Sequence, residues 1–233
     1  NMTAHIPIVG DIRLVLRDFS EKVKNTVSKE WIQTVLTYKD EYIPSGTPDN
    51  SSGCIEPRSF IRSLSAMMEE NAILTADVGQ NQIWSARNFN VKEGRFFTSG
   101  GLGTMGYALP AAIGAKIAKP HRQVLCICGD GSFQMAMCEL STIRQNDVNI
   151  KIIVMQNDRL GMVKEIQDKI YGSRFAMTAL NGNPDFVKLS QAYAIESALA
   201  KSNTQAEKLA EKMLNSNKPF ILVCRVNPDT PTI

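Results

Sequence analysis

The chain contains only two histidines, His5 and His121, among its 233 residues. A zinc site or a histidine-based catalytic triad therefore has almost nothing to work with. The five cysteines are scattered and form no Cys-x-x-Cys pair. Cys126 and Cys128 fall in an apolar run, which predicts buried core thiols.

The chain also lacks a strong charge imbalance and a long apolar run. Its net charge of +3 is too small to indicate nucleic acid binding, and no cluster of lysine and arginine stands out. No apolar run approaches the length of a membrane span, and no cleavable signal is visible at the start. Together with the scattered cysteines, these absences predict a cytoplasmic protein. With 43% hydrophobic residues, the chain can bury one sizeable core.

Residues 1–53 differ from the rest of the chain in the pattern of their apolar residues. Apolar residues recur at helical spacing over 12–23 and again over 31–36, which predicts two amphipathic helices. A stretch rich in serine, glycine and proline follows at 45–53 and reads as a linker. We therefore expect a helical appendage over 1–53 and a main domain over 54–233.

From residue 57 onward, predicted helices and strands alternate. The helices fall near 57–71, 80–88, 105–118, 132–140, 163–170, 185–193 and 204–215, and the strands at 73–77, 96–98, 124–128, 151–156 and 220–225, with a further strand between the last two helices. Such alternation predicts an α/β fold, a three-layer sandwich with a mostly parallel sheet of about six strands and helices on both faces.

The most informative polar residues are Asp130 and Asn157. Asp130 lies between Gly129 and Gly131 directly after one predicted strand, and Asn157 directly follows the next. Both oxygens should therefore lie at strand carboxyl ends, where open parallel sheets bind ligands. The glycines allow close approach to a phosphate, and Ser132 is expected to cap the next helix. A carboxylate and an amide at this edge predict Mg²⁺ held against a diphosphate; the alternative is a structural Gly-Asp-Gly turn.

A second alternative comes from Gly101, Gly103 and Gly106, which spell a literal G-x-G-x-x-G. The motif follows a short predicted strand and precedes a predicted helix, as in Rossmann domains that bind nicotinamide or flavin dinucleotides. Asp130 would then bind a ribose. Ribose binding requires neither Ser132 beside the acid nor Asn157 one strand later, so the metal-diphosphate site is favoured while both remain open.

Longer strings carry a family resemblance. They are Ala76-Asp77-Val78-Gly79-Gln80, Ser99 to Gly106, Gly129 to Met135, Leu160-Gly161-Met162-Val163, Tyr171-Gly172 and Pro184-Asp185-Phe186. In this order they resemble the C-terminal part of thiamine-diphosphate-dependent enzymes, and among these the acetolactate (acetohydroxyacid) synthase large subunit. The resemblance covers essentially residues 54–233, and the opening segment resembles the end of the family's middle domain.

The resemblance implies roles at matching positions. Mg²⁺ would be bound by the side chains of Asp130 and Asn157 and by the backbone carbonyl of Arg159. Met105 would lie under the cofactor and enforce its bent form, which is the one catalytic role implied for this chain; its alternative is a core methionine. The positions implied to contact the cofactor are Gly79, Gln80, Asn81, Gly103, Met105, Gly129, Gly131, Ser132, Leu160, Gly161 and Met162.

The resemblance also implies a reaction and partners. Pyruvate would be decarboxylated and its two-carbon unit joined to a second 2-keto acid, as in branched-chain amino acid biosynthesis. Asn81 stands where the family usually has histidine, and Ile166 where biosynthetic members carry tryptophan. The family's activating glutamate lies on an N-terminal domain, usually of a neighbouring subunit in a dimer or tetramer, and FAD binds outside the matching region. We therefore expect this chain to be incomplete alone, although a non-catalytic interaction module is a further alternative.

Overall fold

The computed structural model describes residues 3–24, 28–41 and 53–232, and the chain divides into two compact units at residue 45. The first unit contains α1 (Ile12–Lys22) and α2 (Lys29–Glu41). The Asp11 side chain accepts hydrogen bonds from the first turn of α1, and neither helix has a buried residue. This is the predicted helical appendage. Of the predicted linker over 45–53, all but Gly53 lies outside the described residues.

The second unit is built on a six-stranded sheet in which every strand pair is parallel. The strands are β1 (Ile73–Ala76), β2 (Arg95–Thr98), β3 (Val124–Gly129), β4 (Lys151–Gln156), β5 (Glu196–Ala200) and β6 (Phe220–Arg225). Their order across the sheet is β2-β1-β3-β4-β6-β5. Gly129, the last residue of β3, pairs with Met155, so β3 and β4 end within one residue of each other. The predicted parallel α/β sheet is confirmed.

Eight helices accompany the sheet in the described part of this unit. They are α3 (Pro57–Met67), α4 (Gln80–Asn88), α5 (Ala108–Ala118), α6 (Asp130–Ala136), α7 (Glu139–Gln145), α8 (Gly161–Tyr171), α9 (Phe186–Ala192) and α10 (Asn203–Asn215). Side chains of Glu56, Asp185 and Ser202 accept hydrogen bonds from the first turns of α3, α9 and α10. Of the described helices, none is both long and apolar enough to cross a bilayer.

The strands bury both faces, because their side chains alternate between two helical layers. Leu125 and Ile127 pack on one face with residues of α3, α4 and α10. Cys126 and Cys128 pack on the other face with residues of α5, α6, α7 and α9. The two cysteines are therefore core thiols, as predicted, and the sandwich has three layers.

Two predicted helices differ from those observed. The helix predicted over 105–118 begins only at Ala108, because Gly106 has a left-handed φ of 86°. The helix predicted to continue through Leu140 is broken into α6 and α7. Ser132 lies inside α6 and its hydroxyl donates to the carbonyl of Gly129 at 3.2 Å. The prediction that Ser132 caps the helix is therefore wrong.

Candidate functional site

The sheet opens a crevice at the carboxyl ends of β1 and β3. From β1 the chain passes through α4 to β2 on one side, and from β3 it passes to β4 on the other. Loops that leave neighbouring strands in opposite directions create the usual ligand-binding crevice of open α/β sheets. Here it is a cleft of about 630 Å³, including its solvent-open part.

Every sequence-predicted site residue except Gly103 lines this cleft. The lining consists of Val78, Gly79, Gln80, Asn81, Trp84, Met105, Gly129, Asp130, Gly131, Ser132, Met155, Asn157, Arg159, Leu160, Gly161, Met162, Val163 and Ile166. Gly103 lies in an exposed turn outside the cleft, with its N–H bound to the carbonyl of Ser99. The fold thus brings together residues from four separate segments.

Asp130 is the only carboxylate in the lining, and it is almost fully buried. Its Oδ2 accepts hydrogen bonds from the N–H of Asp158 at 2.7 Å and from Nδ2 of Asn183 at 2.8 Å. Its Oδ1 accepts from the N–H of Gly131 at 2.9 Å. Burial raises the pKa of Asp130 to about 6, although these hydrogen bonds act in the opposite direction. The negative charge is therefore only partly compensated by the protein.

Asn157 is oriented by its neighbours. Its Nδ2 donates to Oε1 of Gln80 at 2.9 Å, and its Oδ1 accepts from the N–H of Arg159 at 3.1 Å. The amide nitrogen is committed to Gln80, which leaves Oδ1 with a second lone pair. Gln80 is itself held by Oε1 of Glu165 at 2.6 Å and by the carbonyl of Thr230 at 2.9 Å.

Gly161 is required where α8 begins against this network. A Cβ at Gly161 would lie 1.9 Å from Oε1 of Gln80 and 2.9 Å from Nδ2 of Asn157. Any side chain there would displace the glutamine that orients Asn157. The glycine therefore serves close packing rather than a left-handed backbone, which the string Leu160-Gly161-Met162-Val163 alone could not distinguish.

A strip of antiparallel backbone fixes the loop between β4 and α8. The N–H of Leu160 donates to the carbonyl of Thr178 at 2.8 Å, and the N–H of Leu180 donates to the carbonyl of Asp158 at 2.9 Å. Asp158 has a left-handed φ of 56°, and its carboxylate pairs with Arg225 at 2.6 Å. Burial would raise the pKa of Asp158, but hydrogen bonds from Gln156, Asn183 and Arg225 outweigh it and lower the pKa.

Met105 reaches the cleft from the loop between β2 and α5. Its terminal methyl lies 3.5 Å from where a Cβ on Gly131 would be, so it faces the turn that carries Asp130. Elsewhere in the lining, the Nδ2 of Asn81 donates to the carbonyls of Asp77 at 2.7 Å and Ile127 at 3.3 Å. Asn81 thus ties together the ends of β1 and β3.

The donor set fits a hard divalent cation. Asp130 offers a carboxylate oxygen with spare acceptor capacity, Asn157 offers an amide oxygen, and Arg159 offers a backbone carbonyl in the same cleft. A cation would also offset the buried charge that raises the pKa of Asp130. Within the described residues, no three side chains of the His, Cys, Asp or Glu type cluster to form a metal site. Mg²⁺ is commonly bound in this way, by one or two carboxylates together with waters and phosphate oxygens.

Sequence reasoning missed three polar residues of this region. Asn183 bridges Asp130 and Asp158 from a loop far along the chain, Glu165 holds Gln80, and Asp77 holds the loop that carries Met105. None lies in a recognisable motif with its partner. The string Ala76 to Gln80 was the only signal that pointed to one of them.

The dinucleotide alternative loses its structural basis. Gly101 and Gly103 lie in an exposed turn after the edge strand β2 and do not line the cleft. The helix that follows begins two residues after Gly106, so the glycines do not open it as a Rossmann motif requires.

Comparison with known proteins agrees with this geometry. Residues 77–224 match the family "Thiamine pyrophosphate enzyme, C-terminal TPP binding domain". Relatives include the acetolactate synthase of Arthrospira platensis, 40% identical over 98% of this chain and 40% of its own length. The acetolactate synthase isozyme 2 large subunit of Escherichia coli strain K12 is 36% identical over 94% of this chain and 39% of its own length.

The match covers well over half of the chain and contains every cleft residue named above, whereas the chain spans about 40% of the length of the curated relatives it matches. The chain therefore belongs to the thiamine pyrophosphate enzymes, as a C-terminal thiamine pyrophosphate-binding domain of that family.

Proposed function

We propose that this chain is the cofactor-binding part of an acetolactate synthase-like enzyme that holds thiamine diphosphate through Mg²⁺. The observation that carries the proposal is the convergence of Asp130, Asn157 and Arg159 on one cleft that Met105 also lines. The metal would be bound by the two side-chain oxygens and the Arg159 carbonyl. When bound, thiamine diphosphate supplies the carbon nucleophile with which 2-keto acids are decarboxylated.

The chain's own residues would bind and orient. Residues of the Gly129 to Ser132 segment and of the first turn of α8 line the cleft, and the N–H groups at the start of α8 that have no partner within the helix would donate to diphosphate oxygens. Gln80 keeps the amide of Asn157 turned so that its oxygen is available to the metal. Met105 would support the cofactor in its bent form, and the apolar rim of Val163 and Ile166 would exclude water from the reacting end.

The whole enzyme's activity belongs to the same proposal. Pyruvate or another 2-keto acid would be the donor and a second 2-keto acid the acceptor, in a cytoplasmic pathway of branched-chain amino acid synthesis. Ile166, half-exposed at the rim, is smaller than a tryptophan and predicts weak selection of the acceptor. Residues 1–53 would be the end of a middle domain and its linker, and 54–233 the cofactor domain.

The activating glutamate would come from an N-terminal domain of a neighbouring subunit in a dimer or tetramer, so the chain alone should bind cofactor without turnover. Large side chains exposed beside the cleft include Val163, Ile166 and Ile170. A surface of this kind is typical of a partner interface, and the isolated chain should self-associate through it. FAD, where the parent enzyme uses it, would bind outside this chain.

Calorimetric titration of thiamine diphosphate into the purified chain, with and without Mg²⁺, tests the proposal. Wild type should bind only with the metal, and Asp130→Ala should lose about 100-fold or more in affinity, since removing even a residue behind a metal ligand costs 10- to 100-fold. Asp18→Ala, on exposed α1, is the matched control and should bind like wild type. Binding of NAD without Mg²⁺, or equal binding by Asp130→Ala, would contradict the proposal.

A further inference from the structure

We infer that Asp77, at the carboxyl end of β1, is a positioning residue that holds Met105 in the cleft; the inference rests on the proposed function. The Asp77 side chain is 1% exposed. In the described part of the chain it forms no ion pair with a lysine or arginine. Its oxygens instead accept the backbone N–H groups of Val78 at 2.8 Å, Gly106 at 2.9 Å and Ala108 at 2.8 Å.

The two oxygens of Asp77 hold two points of one loop. Oδ1 accepts from Gly106 and Oδ2 from Ala108, which is the first residue of α5. Tyr107, which precedes that helix, provides no side-chain cap. Asp77, which directly follows β1, therefore accepts a hydrogen bond that a capping residue would otherwise accept at the start of α5. Thr75, on the same side of β1, donates from its hydroxyl to the carbonyl of Ala108 at 3.0 Å. Ala108 is thus held by two side chains, whereas Gly106 is held by Asp77.

Met105 directly precedes the held segment. Gly106 has a left-handed φ of 86°, and a Cβ there would lie 3.3 Å from the Cβ of Met135 on α6. Gly106 therefore lies pinched between Asp77 and α6, with little freedom to move. Because Met105 leaves this fixed point toward Gly131, loss of the Asp77 contact should let its side chain shift within the cleft.

The metal ligands do not depend on Asp77. Asp130 is held by Gly131, Asp158 and Asn183, and Asn157 is held by Gln80 and Arg159. Burial raises the pKa of Asp77, and the Ser132 hydroxyl is among the hydrogen-bonding groups that act in the opposite direction, but Ser132 is also fixed within α6 by its bond to the Gly129 carbonyl. Loss of the Asp77 contacts should therefore weaken contacts to the thiamine portion much more than those to the metal and diphosphate. A carboxylate suits this task, because two N–H donors need two acceptors, whereas an asparagine would turn an NH₂ group toward one of them.

Two probes separate these effects: inorganic diphosphate with Mg²⁺, and thiamine diphosphate with Mg²⁺. In Asp77→Asn, affinity for inorganic diphosphate should stay within about twofold of wild type, while affinity for thiamine diphosphate should fall about tenfold or more. Hydrogen exchange at the Gly106 and Ala108 amides should accelerate in the same variant. Thr75→Val removes the hydroxyl contacts to the carbonyls of Ala108 and Leu125 and leaves the Asp77 contacts in place. It is the matched control and should leave the ratio of the two affinities unchanged.

Met105→Ala should reproduce the selective loss, and in the double variant with Asp77→Asn the two losses should not add, since one acts through the other. Additive losses, an unchanged ratio in Asp77→Asn, or an equal change in Thr75→Val would overturn the inference. Asp77→Thr, which removes the buried charge, serves if Asp77→Asn does not fold. If neither unfolds cooperatively, Asp77 is a requirement of the fold and the inference fails. Wild type that binds neither probe would instead contradict the proposed function.

Discussion

The two ends of the sheet each bury a charged side chain, but they compensate it to different degrees. At the amino end, Lys151 is 3% exposed, and its Nζ donates to Oδ1 of Asn149 at 2.6 Å and to the carbonyls of Ser216 at 2.7 Å and Lys218 at 2.6 Å. These three acceptors use all three ammonium protons. At the carboxyl end, Asp130 keeps spare acceptor capacity on Oδ1, which has one described donor.

Burial alone therefore does not identify a functional site. Burial favours the neutral form of both side chains. It lowers the pKa of Lys151 to about 8, an effect to which nearby Lys116 adds, and raises the pKa of Asp130 to about 6. Lys151 is saturated by the protein and anchors the turn at 216–218. Asp130 has capacity left for a ligand and faces a cleft, and this combination distinguishes a candidate metal ligand from a structural charge.

The largest expected effect is that of Gly161→Ala at the carboxyl end. The new methyl would push Gln80 away from Asn157, and Gln80 has little room because Glu165 and Thr230 hold it. We expect Mg²⁺-dependent affinity for thiamine diphosphate to fall about 10- to 100-fold, as for loss of a group that orients a metal ligand. Calorimetry measures this.

Gly114→Ala is the matched control. It lies inside α5 with nothing within 4 Å of the new Cβ, so it should stabilise the chain by about 0.5–1 kcal/mol and leave binding unchanged. Equal binding by wild type and Gly161→Ala would mean that Gln80 does not orient Asn157.

Lys151→Met should destabilise the amino end of the sheet. It leaves an amide oxygen and two carbonyls without their donor, which we expect to cost about 3 kcal/mol in the free energy of unfolding, measured with urea. Affinity for thiamine diphosphate should not change. Lys208→Met, on exposed α10 surface, should be neutral for both; a loss of cofactor affinity in Lys151→Met alone would show that the two ends are coupled.

A pH titration of stability without Mg²⁺ should give slopes of opposite sign for the two charges. Asp130 has a folded pKa of about 6, above its unfolded value. The folded state therefore binds more protons, and the free energy of unfolding falls, by on the order of 2 kcal/mol, as pH rises from about 4 to about 6. Asp130→Asn should remove this fall, and Mg²⁺ should reduce it; a fall that persists in the variant would assign it to another group.

Lys151 contributes in the opposite direction, because its folded pKa of about 8 lies below its unfolded value. The unfolded state binds more protons between about 8 and 10.4, so stability rises with pH over that interval. Lys151→Met should flatten this rise.

The smallest effect is expected for Gly103→Ala. The position has a φ of 64° and open space around it, so alanine should cost about 1 kcal/mol of stability through backbone strain alone. Thiamine diphosphate affinity should stay within about twofold of wild type, because Gly103 lies outside the cleft. A tenfold loss of affinity would instead show that Gly103 contacts the cofactor, as the family resemblance predicts.

The sequence predicted the sheet, its parallel strands and most helix positions, because apolar periodicity and cap residues are local signals. It also predicted Asp130 and Asn157 correctly as neighbours in space, since strands that end within one residue of each other bring their following residues to one edge. Two predicted helices differed from those observed. The start of α5 depends on contacts from another element, Asp77 to Gly106 and Ala108, and nothing in the structure explains the break after Ala136.

The residues that support the site, Asn183 and Glu165, could not be predicted from the sequence for the same reason. Asn183 meets Asp130 across 53 positions of chain, and Glu165 meets Gln80 across 85. Nothing in the local pattern around Asn183 or Glu165 marks a partner so distant. Motifs record which residues meet the ligand, whereas the residues that hold them are identified only by the folded geometry.

The place of β6 in the sheet has a consequence for how the chain is made. It is the last strand in the described sequence, yet it lies between β4 and β5, and its final residue, Arg225, pairs with Asp158 beside the cleft. While the chain is being synthesised, β5 has no strand to join until β6 emerges, and the loop after β4 lacks its arginine. The ribosome must therefore release nearly the whole domain before a complete cleft exists, so cofactor capture should follow translation of this domain rather than accompany it.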